Sequence, residues 1–213
     1  DMLEGLPPGQ LFPIAGPALG DPTRGVRIRA AELLASVPSA SLSKAEREAF
    51  ARAAAEFVAA QRLNADRPEA RMTLGNFAAR QGNIGEAEAE YRSALRLDPL
   101  FPAAAVNLAD LYRGRGRESE GEQVLREAIA RSAQDASLRH ALGLTLVRLK
   151  QSGAALDELR RATELEPERA RYAYVYAVGL QSAGRRADAI AVLKANLQRH
   201  PNDRDSLAAM IGF

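Results

Sequence analysis

Between residues 68 and 201 the chain repeats a pattern of large apolar, small and polar positions. Units beginning at Pro68, Pro102, Ala136 and Ala170 stand 34 residues apart. Their seventh positions are Leu74, Leu108, Leu142 and Tyr176, each followed by a small residue, Gly75, Ala109, Gly143 or Ala177. The eleventh positions are Ala78, Tyr112, Leu146 and Leu180, and the twentieth are Ala87, Gly121, Ala155 and Ala189. The twenty-fourth are Tyr91, Leu125, Leu159 and Leu193, and the twenty-seventh Ala94, Ala128, Ala162 and Asn196. Apolar residues recur every three or four places in two stretches per unit, the period of an amphipathic helix. Each unit is therefore expected to be a helical hairpin whose small eighth and twentieth residues let the two backbones approach closely. A lone hairpin leaves its apolar faces wet, whereas stacked neighbours bury them in a continuous core. Gly82, Gly116 and Gly184 mark the turns of three units, and Pro99, Pro167 and Pro201 close three of them.

These residues resemble the tetratricopeptide repeat (TPR), with its Leu-Gly pair, its later Ala and large apolar residue, and its closing Pro. The resemblance implies an all-α fold, a right-handed superhelical solenoid of antiparallel helix pairs with a concave groove. Some places depart from the family pattern. Its fourth-position aromatic is Arg71, Ala105, Arg139 and Ala173 here, Lys150 replaces a turn glycine, and Asn196 stands where a small apolar residue belongs.

Ahead of the repeats, residues 1 to 20 are rich in Pro and Gly, and Pro13 and Pro17 are expected to kink any helix there. Asp21-Pro22 can cap and start a helix whose apolar face is Val26, Ile28, Ala30, Ala31, Leu33 and Leu34. Asp21, Pro22, Val26, Arg27, Ala30, Ala31 and Leu34 resemble the second helix of a HEAT repeat. The alternative reading is an irregular helical cap. Ser43 and Glu46 have capping-box spacing and open a helix expected to run to about Leu63. With the 34-residue frame run back one unit, Ala53, Phe57 and Ala60 take the twentieth, twenty-fourth and twenty-seventh places, making this helix a half-repeat. The expected organisation is a HEAT-like cap (1–40), a bridging helix (41–67), four repeats (68–101, 102–135, 136–169 and 170–203) and a further helix begun at 204–213. Leu207 and Met210 restart the pattern there, and uncapped solenoid ends favour a packed partner or self-association. A first residue of Asp1 suggests a piece of a longer protein.

Composition narrows the chemistry. Net charge is +2 from 29 basic and 27 acidic residues, scattered rather than massed, which is no nucleic-acid footprint. No cysteine is present, so thiol catalysis, disulfides, cysteinyl metal sites and covalent haem attachment have no residues in this chain. No apolar run reaches the length of a membrane span. Ser41-x-x-Lys44 has the spacing of a penicillin-binding acyltransferase motif without its companions, and Ser41 and Ser43 are read as helix caps. Gly114-Arg-Gly116-Arg lacks the third glycine and strand of a phosphate loop and is read as an inter-helix turn. His140 and His200, the two histidines, occupy different repeat positions, so neither a metal site nor a cofactor site is expected. No catalytic residue set is found, and a non-enzymatic protein follows.

What the family resemblance leaves is the groove, lined by the first helix of each repeat. Carried onto this chain, the lining includes Met72, Asn76, Arg80, Val106, Asn107, Asp110, Arg113, His140, Leu144, Arg148, Tyr174, Val178 and Gln181. Arginine forks carboxylates and asparagine pairs with peptide backbone, so the expected ligand is a peptide or partner protein, with an acidic peptide the sharper form. The two-carboxylate clamp of chaperone-binding arrays matches at Asn76 and Asn107, but its cationic places hold Met72, Ser137 and Ala141. Recognition of that type is not expected. Tyr172, Tyr174 and Tyr176 alternate as in a strand, yet the repeat frame sends Tyr176 to the core, Tyr174 to the groove and Tyr172 against the preceding hairpin. Finally, Asn64-Ala-Asp-Arg-Pro-Glu-Ala70, Val106-Asn-Leu-Ala-Asp-Leu-Tyr-Arg113 and Arg171-Tyr-Ala-Tyr-Val-Tyr-Ala177 resemble the C-terminal helical portion of exported bacterial multihaem cytochrome-like proteins. That resemblance implies a periplasmic accessory domain of a larger redox protein, with no haem motif in this chain.

Overall fold

The computed structural model describes residues 7–213. Among them are twelve α-helices, two short 3-10 turns and no strand. The chain divides into two compact units, Asp1–Ala104 and Ala105–Phe213.

The first unit carries α1 (Pro8–Ala15), α2 (Arg24–Leu34), α3 (Lys44–Arg62), α4 (Pro68–Arg80) and α5 (Ile84–Leu97). α1 runs through Pro13, and Pro17 is the second residue of the 3-10 turn Gly16–Gly20. Here the sequence expectation needs one correction. α2 begins two residues later than Asp21-Pro22 implies: Thr23 is its N-cap, and Asp21 Oδ1 instead accepts a turn hydrogen bond from the Thr23 amide at 2.7 Å. Thr23 makes no side-chain cap, so Arg24 is simply the first residue whose backbone is helical. α1 and α2 share a core of Leu11, Ala15, Leu19, Ala30, Ala31 and Leu34 with Ala53 of α3. Arg27 on α2 grips Glu56 on α3 through Nε and Nη2 at 2.9 to 3.2 Å. Ser43 and Glu46 close the capping box in both directions, and α3 ends at Arg62 with Leu63 as its C-cap. Ser41 does not cap α3. Its hydroxyl donates to the Pro38 carbonyl at 2.7 Å within a 3-10 turn. Phe57 of α3 stacks on Phe77 of α4 with ring centroids 4.3 Å apart, which ties the half-repeat to the first full one.

The second unit holds α6 (Pro102–Arg113), whose first residues precede the division, then α7 (Glu118–Arg131), α8 (Ala136–Arg148) and α9 (Ser152–Leu165). α10 (Ala170–Ser182), α11 (Arg186–Arg199) and α12 (Arg204–Gly212) follow. Within it α7 packs on α8, α8 on α9, α9 on α10, α10 on α11 and α11 on α12, the sequential stacking that the period predicts. The seventh-position residues Leu74, Leu108 and Leu142 are buried, as are Leu125, Leu159 and Leu193 at the twenty-fourth.

Close helix contact depends on the eighth position. A Cβ on Gly75 would lie 2.6 Å from the Tyr91 ring, and one on Gly143 would lie 2.7 Å from Leu159 Cγ. Every hairpin turn closes alike, the sixteenth amide donating to the eleventh carbonyl at 2.9 Å: Asn83 to Ala78, Arg117 to Tyr112, Gln151 to Leu146 and Arg185 to Leu180. This six-to-one bond is the Schellman closure, which needs a left-handed residue inside it. Gly82, Gly116 and Gly184 supply φ of 69 to 77°, and Lys150 is forced to 61° in the third turn.

The fourth position shows how the chain manages without the family's aromatic. In the first repeat Arg71 donates to the Ala65 carbonyl at 2.8 Å and to Glu90 at 3.0 Å. In the third, Arg139 donates to the Ala133 carbonyl through Nε at 2.9 Å and to Glu158 at 2.8 Å. Glu90 and Glu158 both occupy position twenty-three. Where position four is instead alanine, Ala105 and Ala173, position twenty-three is Val124 and Val192. An arginine thus pins the loop before its own hairpin, and a carboxylate on the partner helix balances its charge.

Position twenty-seven in the last repeat is also explained. Asn196 is 2 % exposed, and its amide donates to Ser206 Oγ at 2.9 Å and to the Ala170 carbonyl at 3.3 Å, joining α10, α11 and α12.

Candidate partner-binding face

The site residues read from the sequence all lie on the first helices of the hairpins: α4 in the first unit, and α6, α8 and α10 in the second. On α4, Met72 is half-buried, and the Asn76 side-chain oxygen accepts the Tyr91 hydroxyl proton at 2.8 Å. That bond fixes the side-chain orientation from within the hairpin. Arg80 is exposed and reaches the Glu32 carbonyl near the end of α2 at 3.5 Å, where a cation is favoured by the helix dipole.

On the second unit the polar part of the face is largely engaged. Arg113 pairs with Asp110 one turn earlier at 3.1 Å, and Arg148 pairs with Glu118 of α7 at 2.8 Å while also donating to Thr145. Two arginines assigned to an acidic ligand therefore already face the protein's own carboxylates. Asn107 is half-buried. His140 is half-buried and stacks on Tyr172 of α10 at 4.5 Å between centroids, which brings α8 and α10 together. Burial, and then the guanidinium groups of Arg171 and Arg169, hold the His140 imidazole down at about 4, so at neutral pH it is uncharged. Its Nδ1 and Gln181 Oε1 are buried without a hydrogen-bond partner.

Tyr172 is buried against Ala136 and Ala162 of the preceding hairpin, as the repeat frame requires. Tyr174 and Tyr176 are both half-buried and pack against the Ala177, Leu180, Ala189 and Leu193 cluster, so Tyr174 contributes to the core as well as to the face.

The face also exposes apolar side chains. Val147 is 48 % and Val178 36 % exposed, with half-buried Val106 and Tyr174 at the fifth places of their units and half-buried Leu144 at the ninth, the place of Val178. Val147 was missed in the sequence, although it lies on a first helix beside Arg148. In an aliphatic helix nothing but the repeat register separates it from core residues such as Leu146.

Among the described residues no group of three or more His, Cys, Asp or Glu could hold a metal ion, and no helix is long and apolar enough to cross a membrane.

A tetratricopeptide repeat family model matches residues 40–99 and 140–204, more than half of the chain. The chain belongs to the tetratricopeptide repeat family. A second model of that family matches residues 78–144, so the matches run without a break from residue 40, ahead of Pro68, to residue 204. No curated protein matches the chain. Among solved structures, the chain resembles a thermophilic TPR protein of Thermus thermophilus at 21% identity and TM-score 0.61, over 89% of this chain and 98% of that one. It also resembles YrrB, described as a TPR protein with an unusual peptide-binding site, at 21% identity and TM-score 0.56 over 88% and 91% of the two chains. A third is the first TPR of Spaghetti (RPAP3), bound to the HSP90 peptide SRMEEVD, at 21% identity and TM-score 0.50 over 55% and 94%. At these identities the likeness is one of fold.

Proposed function

We propose that this chain is a non-catalytic protein-interaction module that holds a segment of a partner protein against the first-helix face of α6, α8 and α10. The exposed valines carry this reading. Val147 and Val178 stand open on a face that also carries Val106, Leu144 and Tyr174 and whose arginines Arg113 and Arg148 are already paired. Partner burial of clustered apolar side chains is the usual source of affinity, with aromatic and aliphatic anchors at its centre. Solved TPR proteins described with a peptide-binding site or a bound peptide support the assignment by analogy. An acidic ligand would have to compete with Asp110 for Arg113 and with Glu118 for Arg148. Apolar anchors therefore come first in the recognised segment, and acidic residues contribute by exchange with those pairs.

The test places a photocrosslinking amino acid at position 178 and, as a control, at position 160 on α9. Discrete adducts from position 178 that vanish with Tyr174→Ala and Val147→Asp are expected. Identical adducts from both positions would defeat the assignment.

A further inference from the structure

A second surface lies in the first unit. α3 occupies the place of a second helix, yet one of its outward positions is unlike that of the other second helices. Position twenty-five is Arg92, Arg126, Arg160 and Lys194 in the four repeats and Val58 in α3. Its neighbours, positions twenty-two and twenty-six of that frame, are Ala55 and Ala59, both exposed. These residues wall a cleft of about 410 Å³ whose other side is Leu74, Phe77 and Ala78 of α4. Arg62 of α3 and Glu86 of α5 supply its charges. Gln81 lines it too, with a side-chain nitrogen that is buried and has no hydrogen-bond partner. A stripe on which Val58 replaces the repeats' Lys or Arg between exposed Ala55 and Ala59 is suited to burial.

The same chain carries a matching surface on α12. One side of that helix, through Ala209, Met210 and Phe213, packs on the last hairpin. Arg204, Leu207, Ala208 and Ile211 follow the i, i+3, i+4, i+7 spacing of a single stripe, and all four are exposed, Ile211 at 89 %. Asp205 sits beside Arg204 at the start of that stripe. Arg62, Glu86, Arg204 and Asp205 make no ion pair among the described residues, so two unpaired charges of each sign are available. Leu207 and Ile211 offer the apolar filling, Arg204 the partner for Glu86, and Asp205 the partner for Arg62.

We propose that α12 of one copy docks in the α3–α4 cleft of a second copy, so that the chain self-assembles head to tail. Such a contact joins two different surfaces and leaves one of each free. It therefore propagates into rings or open chains rather than stopping at a symmetric dimer. One helix face in one cleft falls below the roughly 1,000 Å² of a stable interface, so the association is weak and visible only at high concentration.

Sedimentation velocity across roughly 10–500 μM brackets such an affinity. The sedimentation coefficient of the chain is expected to rise over that range. Ala55→Glu and Ile211→Glu alter exposed sites, so each variant keeps its helicity and loses association at least tenfold. An equimolar mixture of the two regains a single productive contact, because the intact α12 of the first meets the intact cleft of the second, and it stops at dimer. Glu86→Arg weakens association, and adding Arg204→Glu to the same chain restores it. A flat profile for the unaltered chain overturns the proposal, as does a mixture that stays monomeric. Association lost through Tyr174→Ala but not Ala55→Glu would assign self-contact to the first-helix face instead and equally overturn it.

Discussion

The arginine that replaces the family's fourth-position aromatic makes a quantitative prediction. Arg139→Ala removes the 2.8 Å pair with Glu158 and two hydrogen bonds to the Ala133 carbonyl. The side chains of Arg139 and Glu158 are 16% and 21% exposed, so solvent screens the pair only partly. With charged hydrogen bonds contributing about 1.5–3 kcal/mol and neutral ones about 1, and with a half-buried carboxylate left alone, the loss is roughly 2–3 kcal/mol. The second and fourth repeats show how to offset it, by pairing Ala at position four with Val at position twenty-three. The double variant Arg139→Ala/Glu158→Val should therefore recover about 1 kcal/mol, because it removes the stranded charge and adds apolar packing. Urea unfolding followed by far-ultraviolet circular dichroism gives the global change. Hydrogen exchange of α8 and α9 gives the local one, which is needed because repeat arrays do not always unfold in one step. Costs of the single and double variants that add to within about 0.3 kcal/mol would show no coupling and refute the compensation.

Three further outcomes follow from single residues. Lys150→Gly relieves the 61° φ and should stabilise the third turn by about 0.5–1 kcal/mol, read as a higher urea midpoint. His140 titrates at about 4 when folded and near its ordinary value of 6.5 when unfolded. The unfolded chain then binds more protons, so stability falls as pH drops from 6.5 towards 4, and His140→Phe should flatten that slope between pH 5 and 6.5, above most carboxylates. Asn196→Ala leaves the fully buried Ser206 hydroxyl short of a partner. It should cost about 1–2 kcal/mol and speed amide exchange in α12 ahead of the rest of the unit.

The hairpins were legible because helix burial writes its period directly into the chain. Leu74, Leu108 and Leu142 point inward, and the eighth-position glycines Gly75 and Gly143 lie where the partner helix comes too close for a Cβ. Capping chemistry was legible at Ser43, where two groups three residues apart satisfy each other, and not at Asp21, whose carboxylate serves a turn. The arginine pins were present in the text as the joint recurrence of Arg71 with Glu90 and of Arg139 with Glu158, nineteen residues apart. They are hard to see when position four is judged alone against an aromatic pattern. Ligand chemistry was the least legible, since the sequence places Arg113, Asp110 and Arg148 on a face but does not show that the arginines are already paired. Asp110 lies one turn away on the same helix, and Glu118 on the neighbouring one.

Hydrogen–deuterium exchange of the chain with and without the protein crosslinked from position 178 tests the central claim most directly. Slower exchange confined to α6, α8 and α10, with α7, α9 and α11 unchanged, is the predicted footprint. Protection centred on α7, α9 and α11 would mean that partners bind the opposite set of helices, and would contradict it.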